Sequence, residues 1–240
     1  MKILALDSSG LVATVAVLED DVMVAEYTTC YKKTHSQTLL PMLDEIKKMI
    51  ELDMKSIDAI AVTKGPGSFT GLRIGCATAK GLGLALDCPL LAIPTVDALA
   101  YNMYGSHAII CPLMDARRDQ VYTGLYRFEK SEHGYEMVRE LPQCAISIDE
   151  IITLVNEKGL EVIFLGDGVP VYKEKIEAMC QVEYSFAPAG LNRQQASSVA
   201  LLGADMYAKG QTVLADEMEP DYLRLSQAER ERKEMEERKA

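Results

Sequence analysis

Two aspartates in this chain close an apolar run in the same way. Asp7 follows Ile3-Leu4-Ala5-Leu6 and opens the turn Ser8-Ser9-Gly10, and Asp115 follows the run 108–114 and opens Ala116-Arg117-Arg118-Asp119. An acid placed so can hydrogen-bond the backbone of its own turn. Arg117 and Arg118 can bind an anion or a partner's carboxylate, or they stand on a solvated turn pinned by Asp115 and Asp119. The remaining reactive side chains are poorly spaced for chemistry. His35 has no second histidine within helical reach and reads as a loop residue near a helix cap. His107 and His133 show no metal-ligand spacing, no HExxH occurs, and the three histidines give no Ser/His/Asp set. Six cysteines lie at 30, 76, 88, 111, 144 and 180 without a CxxC pair, which disfavours a zinc ribbon or a thioredoxin-type site.

The elements that position these residues centre on the stretch 57–94. Residues 57–63 are apolar and rich in β-branched side chains, so they predict a buried strand. Gly65-Pro66-Gly67-Ser68 breaks it. A helix follows over 69–86, carrying Gly71, Gly75, Gly81 and Gly83 together with Ala77, Ala79 and Ala85. Each glycine costs a helix roughly 1 kcal/mol relative to alanine, so close approach of another backbone must offset them. That backbone belongs either to the chain's own sheet or to another protein. Residues 90–93 form the next strand.

Three motifs carry a resemblance. The loop Gly65-Pro66-Gly67-Ser68-Phe69-Thr70-Gly71-Leu72-Arg73-Ile74-Gly75, the turn Asp115-Ala116-Arg117-Arg118 with Val121-Tyr122, and the ending Pro220-Asp221-Tyr222-Leu223-Arg224 resemble the TsaB (YeaZ) family. That family is related to TsaD and shares the sugar-kinase, Hsp70 and actin fold. The resemblance implies a two-domain α/β chain of mixed sheets flanked by helices. It implies a non-catalytic dimerisation and activating subunit, acting with a TsaD-like catalytic subunit and a TsaE-like ATPase. Their joint reaction transfers a threonylcarbamoyl group to N6 of adenosine 37 in tRNA. ATP and metal are expected on those partners and no cofactor on this chain, with tRNA reached only through the complex. In ATP-using relatives the acid at the place of Asp7 handles metal or water near the phosphates. Asp7 and Asp115 are therefore the cofactor-binding candidates, beside their turn-holding reading. Gly166-Asp167-Gly168 stands where such relatives approach the nucleotide, and a plain turn explains it equally well. TsaD binds its metal with an HxxxH pair, and the matching positions here are Thr95 and Leu99. The alternative function is an ATP-binding transferase or kinase of the same fold. A glycoprotein endopeptidase, a label that relatives have carried, finds no motif here.

Taken in order, the chain gives a helix that follows His35-Ser36 and runs to about Leu52, capped by Ser36 or Thr38 and holding Pro41 in its first turn. Its apolar stripe includes Leu39, Leu43 and Ile46, with Met42 on the flank. These four, with Leu72, Gly75, Ala79 and Gly83 of the glycine helix, are the expected partner face, which closes on a second copy when the chain is alone. The strand–Asp–turn–strand openings, 108 residues apart, suggest an ancient duplication. Residues 1–104 read as the first domain, 105–210 as the second, and 211–240 as a C-terminal segment with a charged tail from 227. Ser147 to Glu150 form a capping box. A strand over 161–165, a helix over 171–179 and a helix over 194–209 complete the pattern. A net charge of −11 argues against holding RNA alone. The scattered cysteines suit a reducing cytoplasm. Asp7 interrupts the N-terminal apolar run too early for a signal peptide, and Arg73 and Lys80 interrupt 71–86, so no membrane span is expected.

Overall fold

In this computed structural model, which describes residues 1–31, 34–132 and 134–224, the two openings head two sheets of identical topology. In the first, β1 (Lys2–Asp7) pairs antiparallel with β2 (Ala13–Glu19), and β2 with β3 (Val22–Thr29). On its other side β1 pairs parallel with β4 (Ala59–Gly65), and β4 with β5 (Leu90–Pro94), giving the order β3-β2-β1-β4-β5. The second sheet consists of β6 (Ile109–Asp115), β7 (Gln120–Ser131), β8 (Gly134–Ser147), β9 (Val162–Leu165) and β10 (Tyr184–Phe186). Its order, β10-β9-β6-β7-β8, is the same arrangement read from the opposite edge.

Among the described residues six α-helices cover the sheets: α1 (His35–Met49), α2 (Phe69–Leu86), α3 (Thr95–Tyr101), α4 (Ile148–Lys158), α5 (Gly168–Met179) and α6 (Ala196–Ala208). Leu4, Leu6, Val15 and Val62 meet Leu39, Met42, Ile46, Cys76 and Ala79 beneath α1 and α2. Ile3, Ala5, Ala61 and Leu91 meet Ala98, Val199 and Ala200 of α3 and α6 on the opposite face. Burial on both faces is why β1 and β4 are apolar at nearly every position rather than alternating. Helix α6 lies in the span 105–210 yet packs on the first sheet. Its Gly203 comes so near that an added Cβ would sit 2.9 Å from the Ala61 Cβ. Helices α4 and α5 cover the second sheet through Ile151, Val155 and Ile176. Val96 and Leu99 of α3 join Ile110, Met114, Tyr126 and Leu165 in a cluster between the halves.

Local chemistry departs from the sequence reading in a few places. Helix α1 starts at His35, so Pro41 is its seventh residue and not in the first turn. Its missing N–H orphans the Gln37 carbonyl on an exposed face, where water can serve it. The N-cap is Thr34, without a side-chain cap bond, while Thr38 Oγ1 donates back to the carbonyls of Thr34 and His35. Ser147 does cap α4, accepting from the Glu150 N–H at 3.1 Å. Strand β8 runs on to Ser147, and β10, too short to leave a pattern, completes the sheet. The charged stretch 227–240 and His133 lie outside the described residues.

Candidate functional site

Asp7 ends β1 at the crevice beyond the carboxyl ends of the parallel strands, a common ligand position in α/β folds. Here the crevice is packed by the chain itself. Asp7 is fully buried, and its Oδ1 accepts from the Ser9 N–H at 2.7 Å. The Ser68 N–H donates to the Ser9 carbonyl at 2.7 Å, and Ser8 Oγ donates to the Gly71 carbonyl at 2.9 Å. Gly67 and Gly71 allow this closure, because a Cβ at either would overlap the carbonyl oxygen of Ser9 or Ser8. His35 Nε2 lies 2.8 Å from the Gly10 carbonyl and donates to it, so the histidine clasps the turn. The Gln194 side chain covers Gly10 from the other side. Burial drives the Asp7 carboxyl above its usual range, opposed by Ser9, Thr63 and the His35 charge. Asp7 Oδ2, Ser9 Oγ, Thr63 Oγ1, His35 Nδ1 and Gln194 Nε2 are buried without a partner at hydrogen-bond geometry. Around Asp7 the turn is thus held by the backbone of Ser68 and Gly71 and by His35.

The equivalent turn of the second half is open. Asp115 Oδ1 accepts from the Arg117 N–H at 2.8 Å and from the Tyr172 hydroxyl at 3.2 Å, and its Oδ2 pairs with the Arg117 guanidinium at 3.1 Å. Arg117, Arg118 and Asp119 take φ of 65°, 57° and 56°, three successive non-glycine residues in the left-handed region. Tyr172 is pushed up to about 12, mainly by desolvation and then by Asp115. The glycine-rich turn is committed as well. The Gly166 N–H donates to the Asn192 carbonyl at 3.1 Å, and Asp167 Oδ1 accepts from the Asp115 N–H at 3.3 Å. Burial raises the Asp167 carboxyl. The structure thus places Asp7 and Asp115 at matching ends of matching strands, each spending an oxygen on its own turn.

Thr95 opens α3 and Leu99 follows one turn later, and both are fully buried. Leu99 has no donor atom and packs in the cluster between the halves, so these positions do not fit a metal ion. Beside them, Asp97 accepts from the Tyr126 hydroxyl and from Arg139 Nε, each at 2.7 Å. Among the described residues no group of three or more His, Cys, Asp or Glu could hold a metal.

The eight residues expected on a partner face require correction. Leu39, Met42, Leu43, Ile46, Leu72, Gly75, Ala79 and Gly83 are all buried in the chain's own fold. A Cβ at Gly75 would sit 2.7 Å from Ser8 Oγ, and one at Gly83 2.9 Å from Leu90 Cδ2. The reason is that an apolar stripe marks the face a helix buries, and α1 and α2 bury theirs on their own sheet. Their outer faces are different residues. Thr70, Arg73, Ala77, Gly81 and Leu84 of α2 are exposed, as are Leu40, Asp44 and Met49 of α1. Among the described residues, and apart from the helix's own neighbouring turns, nothing lies within 4 Å of a Cβ built at Gly81.

A Bacillus subtilis protein named tRNA threonylcarbamoyladenosine biosynthesis protein TsaB is 34% identical over 229 residues, covering 95% of this chain and 96% of its own length. The chain belongs to the TsaB family. The Escherichia coli protein of the same name is 28% identical, covering 93% of this chain and 95% of its own. Residues 24–232 match the family model for TsaD, tRNA N6-adenosine threonylcarbamoyltransferase, so the chain also belongs to that wider family. YeaZ from Pseudomonas aeruginosa superposes with a TM-score of 0.78 at 27% identity, covering 92% of this chain and 99% of its own. A polyphosphate/ATP-glucomannokinase from Arthrobacter, 9% identical with a TM-score of 0.50, shares the fold, the sugar-kinase-like architecture expected from the motifs. All three TsaB-family motifs are placed. The loop after β4 caps the Asp7 turn, the Arg117 turn heads the second half, and the ending 220–224 runs beside the start of α2. No helix among the described residues is long and apolar enough to cross a membrane. The sequence reading did not single out the outer residues of α1 and α2, because they form no apolar stripe. The four exposed small or polar positions at helical spacing were the only trace.

Proposed function

We propose that this chain is a non-catalytic subunit that docks on and activates a TsaD-like catalytic subunit. With a TsaE-like ATPase the pair would transfer a threonylcarbamoyl group to N6 of adenosine 37 in tRNA. The observation that carries this reading is Leu99, a fully buried leucine where the resemblance puts a metal ligand of TsaD. The packed Asp7 turn supports it, since Asp7 is fully buried and Gly71 and Gln194 press on the Ser8–Gly10 turn that it opens. The names of the relatives place them in threonylcarbamoyladenosine biosynthesis. ATP and metal then reside on the partner subunits, and tRNA is met through the complex in the cytoplasm. The docking surface is the outer face of α1 and α2. Alone, the same face closes on a second copy in a two-fold contact.

Mixing the purified chain with a TsaD-like subunit and weighing the products by light scattering tests the reading. A one-to-one complex is expected, with tRNA modification seen only when both subunits and the ATPase are present. Modification of tRNA by the metal-loaded chain alone would contradict it.

A further inference from the structure

Arg73 stands in the exposed stripe of α2, and it is held unlike an ordinary surface arginine. Its Nε donates to the Tyr222 hydroxyl at 3.0 Å, across 149 residues of sequence. Its guanidinium carbon lies 5.8 Å from the centroid of the same ring. That ring stacks on Phe69, centroids 4.3 Å apart and planes 7° from parallel. Tyr222 is itself fixed from both sides. The Asp221 N–H donates to the Lys64 carbonyl at 2.7 Å, and Arg224 Nη1 donates to the Ala116 carbonyl at 2.5 Å. Further back, Lys80 Nζ ties the same segment to α2 through the carbonyls of Asp216 at 2.9 Å and Met218 at 3.2 Å. The C-terminal segment is thus strapped along the helix, and between the two runs a groove of about 530 Å³ whose mouth Arg73 shares.

Two segments far apart in sequence therefore orient one guanidinium. Spending Nε on the phenol leaves the two terminal nitrogens as a free fork, the edge that binds a carboxylate bidentately. Among the described residues no carboxylate lies within ion-pair distance of Arg73. A charge already held in place loses little side-chain entropy on pairing, the saving that makes an interface anchor. We propose that Arg73 is the anchor for an aspartate or glutamate of the TsaD-like subunit that docks on α2. This rests on the docking reading above and adds the chemistry of its partner.

The test uses the full chain and its complex with the TsaD-like subunit. Arg73→Gln weakens the complex at least tenfold in calorimetric titration, and Tyr222→Phe, which keeps the stack but removes the acceptor, weakens it about threefold. Both variants melt close to the wild type, because Arg73 is exposed. Arg73→Lys then allows a zero-length cross-link. A water-soluble carbodiimide activates the partner's carboxylate, the new amine forms an amide bond with it, and the carbodiimide takes up the lost water as a urea. Mass spectrometry places that bond between position 73 and an Asp or Glu of the TsaD-like subunit. Wild-type affinity for Arg73→Gln, or cross-links from other lysines with none at position 73, overturns the inference and leaves the docking reading standing. Absence of any wild-type complex overturns the docking reading and takes this inference with it. A position-73 cross-link only between two copies of this chain overturns the assignment to the TsaD-like subunit.

Discussion

The two halves share one topology and treat the same turn in opposite ways. In the first, Asp7 is sealed beneath the loop after β4, with Gly67 and Gly71 pressed on the Ser8–Ser9 backbone. In the second, Asp115 faces a solvated loop, with Arg117 left largely exposed beside it. A strand–Asp–turn opening is therefore a scaffold and not a declaration of chemistry. What distinguishes the halves is the helix that follows the crevice. Helix α2 is bare enough to lie against the turn, and in closing the crevice it turns its other side outward. The outer face of α2 is where we place the work of the first half.

Adding one methyl group to the sealed turn should have the largest effect. Gly71→Ala would gain about 1 kcal/mol of helix propensity in an open helix. Here its Cβ meets the Ser8 carbonyl, so overpacking should dominate with a net loss of about 2–3 kcal/mol. For a chain of this size that lowers the melting temperature by roughly 5–10 °C. An unchanged or raised melting temperature would mean the turn is not closed as described.

Next comes Asp7→Asn. Burial makes the folded state hold the Asp7 proton more tightly than the unfolded chain does. The wild type therefore loses stability as pH rises from about 4, the ordinary carboxylate value, through the raised folded value. Asparagine keeps an acceptor for the Ser9 N–H and avoids that loss. The variant should be the more stable at neutral pH, with a gap that narrows on acidification when melting is followed across pH. A variant less stable at every pH would show that the contacts of the carboxyl group in the turn outweigh the cost of burying it.

These cases show what the sequence could reveal. The glycines of α2 announced a close backbone approach, and the approach exists. Composition alone does not say whose backbone it is, and Gly71, Gly75 and Gly83 meet the chain's own Ser8 and Leu90. Hydrophobic periodicity placed α1 and α2 well, yet it reports burial without saying against what, so Leu39, Met42 and Ile46 were core. Helix α6 was visible as a helix, but its docking on the first sheet is a long-range fact that no local pattern encodes. The Arg73–Tyr222–Phe69 contact joins motifs that the resemblance had quoted separately.

Smaller effects sharpen the contrast. Gly81→Ala lies on the outer side of α2 with open space around it, so it should raise stability by about 0.5–1 kcal/mol, the opposite sign from Gly71→Ala on the same helix. Chemical denaturation of the two variants side by side reads the difference. Smallest of all, Arg117→Gly exchanges the pairing of an exposed guanidinium with Asp115, which keeps its backbone N–H and Tyr172 contacts, for relief of a left-handed backbone. These terms should nearly cancel, within about 0.5 kcal/mol. A loss above about 2 kcal/mol would mean the second turn is as structural as the first.

The outer face of α2 as a docking surface is tested most directly by Gly81→Leu, measured twice. The first carbon of the new side chain meets nothing among the described residues, so the variant should melt at or slightly above the wild-type temperature. Sedimentation velocity with the TsaD-like subunit should then show the wild type in a complex and the variant as a free subunit. A variant that melts normally and still binds as tightly as the wild type would contradict the account.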